Sequence, residues 1–176
     1  MGQANTPATR DQVILLAGRV ALGAIFVKSG LQKRLALSAF AASLAQRGVP
    51  QSSTWAVIGA TVELVGGILI VTGLRTREAS LLMILFVIVA TGISHRFWEF
   101  AEAARRAQES QFFKNLSIIG GFLLLFVTGG GRFSVDALLA SKSRANKMAP
   151  EQKQDSEDIR RAVDDGMQDL RMKERR

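Results

Sequence analysis

Residues Thr54–Leu74 read TWAVIGATVELVGGILIVTGL, and Glu63 is the only charged residue among them. A helix crosses a bilayer with roughly 20 consecutive apolar residues, and this stretch supplies them. A carboxylate near the middle of such a span costs about 2.5–3.5 kcal/mol or more to insert, so its position marks a paired, protonated or functional site. The span also has two faces. Ala56, Gly59, Ala60, Glu63, Gly66 and Gly67 recur at helical spacing on one side, and Ile58, Val62, Val65 and Leu69 on the other. Small residues let helices approach closely in lipid, so Glu63 is expected on the packed face.

Working outward, three more apolar runs of similar length follow the same logic: Val13–Leu31, Ala79–Trp98 and Phe112–Gly130. Backbone exposed to lipid must satisfy its own hydrogen bonds, which favours helices. The expected fold is therefore an all-α integral membrane protein, a four-transmembrane-helix bundle. Trp55, Phe97, Trp98, Phe112 and Phe113 then fall on one membrane face as an interfacial aromatic belt. Arg75–Glu78 forms a tight turn on the opposite face. The two longer connections read as interfacial helical loops: Leu37, Phe40, Ala41 and Leu44 share one side of the first, and Glu102 and Arg106 sit four apart in the second.

The layout is an N-terminal segment over 1–12, a membrane domain over 13–139 and a polar, charged C-terminal tail over 140–176. In the tail, Ile159, Val163, Met167 and Leu170 recur at helical spacing amid mixed charges. That pattern reads as a solvated segment, partly helical or disordered, with a partner-docking helix as the alternative. Basic residues near the spans nearly balance between the two faces, so the positive-inside rule decides little. The charged tail favours both termini in the cytoplasm. The opening MGQANT fits a short myristoylation pattern on Gly2 and Thr6.

Composition narrows the chemistry. Hydrophobic residues make up 48% of the 176, yet mean hydropathy is only +0.17 because the charges are segregated from the apolar runs. The chain has no cysteine and a single histidine, His95. Thiolate catalysis, disulfide exchange and iron–sulfur ligation are excluded, as is any multi-histidine metal site within one chain. The net charge of +8 flanks apolar segments, which points to the lipid bilayer rather than nucleic acid as the partner.

Two polar groupings remain. Arg19 lies roughly 9 Å from the terminal-side end of its span and Glu63 roughly 16 Å from that same face, at about 1.5 Å per residue. The spacing predicts a buried Arg19–Glu63 pair, whose plain reading is helix register and whose sharper reading is a protonatable or ligand-contacting carboxylate. Near the other face, Lys28, Ser29, His95, Lys114 and Asn115 gather. They are the candidate pocket for a ligand with an anionic or carbonyl-bearing headgroup, such as a quinone, although His95 at a helix end and lysines that snorkel also serve as interface anchors. No catalytic residue, metal-ligand set or phosphate loop stands out.

An ordered set of motifs carries a resemblance: Gly18-Arg19, Lys28-Ser29-Gly30 followed by Lys33, Glu63-Leu64-Val65-Gly66-Gly67, Gly73 with Thr76-Arg77, His95, Phe113-Lys114-Asn115, Gly120-Gly121 and Gly131–Asp136. Together, over residues 13–139, they resemble the DoxX family of bacterial inner-membrane proteins. The resemblance implies a four-helix protein of the bacterial inner (plasma) membrane. Some members are subunits of thiosulfate:quinone oxidoreductase, and others belong to oxidative-stress assemblies with soluble redox partners. The expected role is an accessory or anchoring subunit of a membrane redox assembly, quinone-linked, without a self-contained catalytic site or a cofactor held by the chain alone. The alternatives are a small-solute or proton transporter using Glu63 and Arg19, or a structural assembly factor. A redox enzyme and further copies of the chain are the protein partners to consider.

Overall fold

The computed structural model describes residues 9–174, so the Gly2–Thr6 pattern lies outside the described residues. The element order is α1 (Thr9–Leu35), α2 (Leu37–Gln46), α3 (Ser52–Thr72), α4 (Thr76–Ser94), a 3-10 turn (Phe97–Glu99), α5 (Glu102–Thr128) and α6 (Val135–Glu174). Among the described residues there is no strand, and four segments are long and apolar enough to cross a membrane: α1, α3, α4 with the following turn, and α5. The protein is an all-α membrane protein.

The four spans pack around a small interior. Phe26, Ile70, Met83, Val87, Phe122 and Leu125 form its centre, where the Phe26 and Phe122 rings tilt against each other at 5.5 Å. Leu85, Ile88, Leu124 and Val127 face outward, 52–71% exposed. Apolar surface of that extent suits hydrocarbon and would be an aggregation liability in water.

Glycine sets the closest helix contact. A Cβ on Gly30 would lie 2.6 Å from the Leu64 backbone nitrogen, and one on Gly67 would lie 2.8 Å from that of Val27. A Cβ on Gly23 would meet the Val71 side chain at 2.7 Å and the Gly67 carbonyl oxygen at 3.0 Å. The backbones of α1 and α3 therefore touch directly, antiparallel, with Gly30 level with Leu64 and Val27 with Gly67. The buried face of α3 is Ala56, Ala60, Glu63, Gly66, Gly67 and Ile70, with Gly59 half-buried and its expected opposite face turned outward or partly covered.

Several boundaries differ from the sequence-based expectation. Helix α5 begins at Glu102, so the second connection contributes the first turns of a span instead of a separate interfacial helix. No glycine or proline separates Glu102 from Phe112, and nothing breaks the hydrogen-bond ladder there. The first connection does form its own helix, α2, with Leu44 buried. Phe97, Trp98, Phe112 and Phe113 make edge-to-face contacts at 5.2–6.3 Å, a single aromatic cluster.

The chain divides into two compact units, the described residues through Ala137 and those from Leu138 onward. In the second unit α6 is helical along its described length. Its alanines, lysines, arginines, glutamates and glutamines are strong helix formers. Ile159, Val163 and Met167 on it are exposed.

Candidate functional site: a polar chamber inside the membrane domain

Glu63 is buried, its side chain 5% exposed, and its Oε2 lies 2.5 Å from Lys33 Nζ. Arg19 is not its partner. In the antiparallel register of α1 and α3 the residue level with Glu63 is Leu31, and Arg19 lies twelve positions further along α1 (31 back to 19), roughly 18 Å at 1.5 Å per residue. The two apolar runs do not end level: the same register sets Leu74 beside Val20, so the run that begins at Val13 projects beyond the end of α3. Lys33 was visible in the sequence as part of a motif but not as a site residue. Its signal is spacing: Phe26, Ser29, Gly30 and Lys33 fall on one face of α1 at intervals of three, four and seven.

The Lys33–Glu63 pair forms part of the wall of a cavity of about 190 Å³. Ser29 joins it from α1, Ser94 and His95 from the end of α4, and Lys114 and Asn115 from α5; Phe26, Phe86 and Val87 close the apolar side. Four of the five residues expected to make a pocket are thus brought together. Lys28 is not among them: one position from Ser29 on a helix, it points away and is exposed.

Each polar group in the chamber has a defined partner or spare capacity. His95 Nδ1 lies 2.8 Å from Gln108 Oε1. With that oxygen as acceptor, Nδ1 carries the proton and Nε2 is left as an acceptor. Asn115 Nδ2 donates to Thr91 Oγ1 at 2.8 Å, and Thr91 donates to Val87 O at 2.6 Å. Lys114 donates to Gln111. Lys33, one-third exposed, retains ammonium hydrogens beyond the one spent on Glu63, and its Nζ stands 5.1 Å from the Phe40 ring centroid. Two lysines against one glutamate give the chamber a donor-rich, net-positive lining. Such a lining suits a ligand that presents oxygen acceptors.

Arg19 serves a separate centre at the terminal side. Its Nη1 donates to Gly130 O and its Nη2 to Phe133 O at 2.8 Å, while Nε is buried without a hydrogen-bond partner. These carbonyls belong to the segment after α5. From the first turn of α6, Asp136 accepts the Arg75 N–H (2.7 Å), the Thr76 N–H (2.9 Å) and the Thr76 hydroxyl (3.0 Å). Arg75 adopts a left-handed conformation (φ 47) and provides no side-chain cap of its own. Asp136 therefore caps α4 from a distant part of the chain. Gly73, also left-handed (φ 69), ends α3 and leaves room for the Arg19 guanidinium, into which a Cβ would run. Burial alone would raise the Asp136 carboxyl, but the hydrogen bonds from Thr76 and Arg75, with the Arg19 charge, outweigh it and hold it below the usual carboxylate value. This centre is a structural buckle: apart from the Thr76 hydroxyl bond to Asp136, these hydrogen bonds close backbone.

The DoxX family profile matches residues 14–96. Inner membrane protein YphA of Escherichia coli (strain K12) is 35% identical over 124 residues, 70% of this chain and 89% of the relative. The chain belongs to the DoxX family. Inner membrane protein YqjF of the same organism is 33% identical over 132 residues, 75% of this chain and 96% of its own. The uncharacterized membrane protein Rv3486 of Mycobacterium tuberculosis (strain ATCC 25618 / H37Rv) is 27% identical over 141 residues, 72% of this chain and 82% of its own. No solved structure matches the chain. The DoxX profile covers Ser29, Lys33, Glu63, Ser94 and His95 of the chamber, whereas Lys114 and Asn115 lie beyond its matched stretch.

Proposed function

We propose that this DoxX protein is an accessory, anchoring subunit of a membrane redox assembly, holding a quinone-class headgroup in its polar chamber for an oxidoreductase partner. The observation that carries the reading is the chamber itself, a donor-rich cavity set in the membrane domain beside a part-buried ion pair. The donor set fits carbonyl oxygens: Lys33, Lys114 and the Ser29 hydroxyl offer hydrogens, and Asn115 and His95 are fixed by Thr91 and Gln108. A quinone would supply two-electron, two-proton carrier chemistry. The chain's own residues bind and orient its carbonyls, and Phe26, Phe86 and Val87 limit water. Among the described residues no group of acidic and histidine side chains is arranged to hold a metal.

The conduit alternative joined Arg19 and Glu63, which here have different partners. The inner membrane is the proposed location, in keeping with the names of YphA and YqjF, with both termini cytoplasmic. Because the chain has no cysteine, a single Ser143→Cys reports the tail's side through a membrane-impermeant maleimide. Labelling in intact spheroplasts would reverse the proposed orientation.

The function is tested with purified full-length protein in nanodiscs, titrated with a tail-less dimethoxy-methyl-benzoquinone. Saturable binding weakened by Lys33→Met and Lys114→Met is expected, together with an oxidoreductase co-purifying from native membranes. Absence of both rejects the reading.

A further inference from the structure

A second cavity, of about 240 Å³, adjoins the chamber, and its character is opposite. Phe40 and Leu44 of α2 cover it, Trp55 of α3 and Val89 and Ile93 of α4 form its sides, and its polar lining is Lys33 and Ser94. Lys33, Phe86, Ala90 and Ser94 line both cavities, so slot and chamber meet along one wall. At that junction Lys33 Nζ is held by Glu63 on the chamber side and faces the Phe40 ring on the slot side.

The chamber alone, at about 190 Å³, falls short of the roughly 300–1,000 Å³ typical of sites that enclose a drug-sized molecule. It has room for a headgroup without an attached chain. The neighbouring slot offers an apolar volume that begins where the headgroup's donors end. An apolar slot ending on an ammonium suits a hydrocarbon chain whose head sits at that ammonium, since transfer of each methylene from water to such a lining is favourable while the head keeps its hydrogen bonds.

We propose that slot and chamber are two halves of one site for a single-tailed amphiphile. The hydrocarbon chain lies under α2, the acceptor-bearing headgroup occupies the chamber, and Lys33 stands at the junction. This rests on the headgroup reading above and adds the tail, its place and the helix that covers it.

The reporter is already present. Trp55 lines the slot, and the other tryptophan, Trp98, belongs to the aromatic cluster with Phe97 and Phe112. Full-length Trp98→Phe protein in nanodiscs leaves Trp55 as the sole fluorophore, read by quenching with decyl-benzoquinone and with its tail-less counterpart. Val89 lines the slot and not the chamber. Val89→Phe should weaken the decyl probe about tenfold or more and leave the tail-less probe unchanged, and Val89→Ala, which fills nothing, should retain both. If Val89→Phe leaves the decyl probe unchanged while the tail-less probe still binds in a Lys33-dependent way, the slot is wrong and the headgroup reading stands. If the tail-less probe never saturates, the headgroup reading fails and the two-part site with it. Equal, saturable quenching by a chain-brominated phosphatidylcholine would make the slot a place for bulk lipid and overturn the proposal.

Discussion

Lys33 and Glu63 stabilise one another's charge, and the carboxylate is buried. Removing one partner strands the other, and a lone buried charge is worse than an apolar pair of similar volume. Lys33 is one-third exposed, so the effect is below that of a fully buried pair. Lys33→Met alone should lower stability by about 1–3 kcal/mol, and Lys33→Met with Glu63→Leu should recover much of it. Thermal loss of helical circular dichroism in detergent measures both, and strictly additive losses would show that the pair is uncoupled. Asp136 offers a second test at this scale. Its folded-state value lies below the unfolded one, near 3.9 for an aspartate, so between the two the unfolded chain binds more protons. The stability it contributes is present above about pH 4 and is lost as pH falls through the folded value. Asp136→Asn should therefore flatten the acid limb of the stability curve; an unchanged limb would argue that other carboxylates set it.

Between elements, the α1–α3 contact is governed by missing side chains. Gly30→Ala and Gly67→Ala place a methyl group within 3 Å of opposing backbone. Backbone cannot rotate aside as a side chain does, so each should cost about 1–3 kcal/mol or more by overpacking. Gly92 on α4 and Gly120 on α5 have nothing within 4 Å of a new Cβ, and alanine there should be neutral or slightly stabilising. Matched melting of the four variants decides whether close approach or helix propensity dominates. An equal response from all four would show that the contact is looser than its geometry.

For the whole molecule, the membrane domain is finished by a residue that lies close to the tail. Truncation after Ser141 keeps Asp136 and its cap on α4, whereas truncation after Phe133 removes it. The shorter protein should lose about 1–2 kcal/mol more than the longer one, seen as a lower midpoint and poorer monodispersity in detergent. Equal midpoints would mean that α4 finds another cap. The four spans, the packed face of α3 and the helical first connection were all legible in the sequence, because insertion into lipid is a property of composition and length, and a helix's faces follow from its 3.6-residue period. The gathering of Ser29, His95, Lys114 and Asn115 was legible too, since all four sit near the same ends of their spans. What tertiary structure alone decided was partnership. Which cation meets Glu63 depends on the vertical register of α1 against α3, and that register is set by Gly23, Gly30 and Gly67 meeting particular backbone atoms across the interface. Such a register is invisible to hydropathy, yet it gives Glu63 Lys33 in place of Arg19 and makes two separate centres of the expected pair: one a chamber wall, the other a clasp on the chain's own backbone.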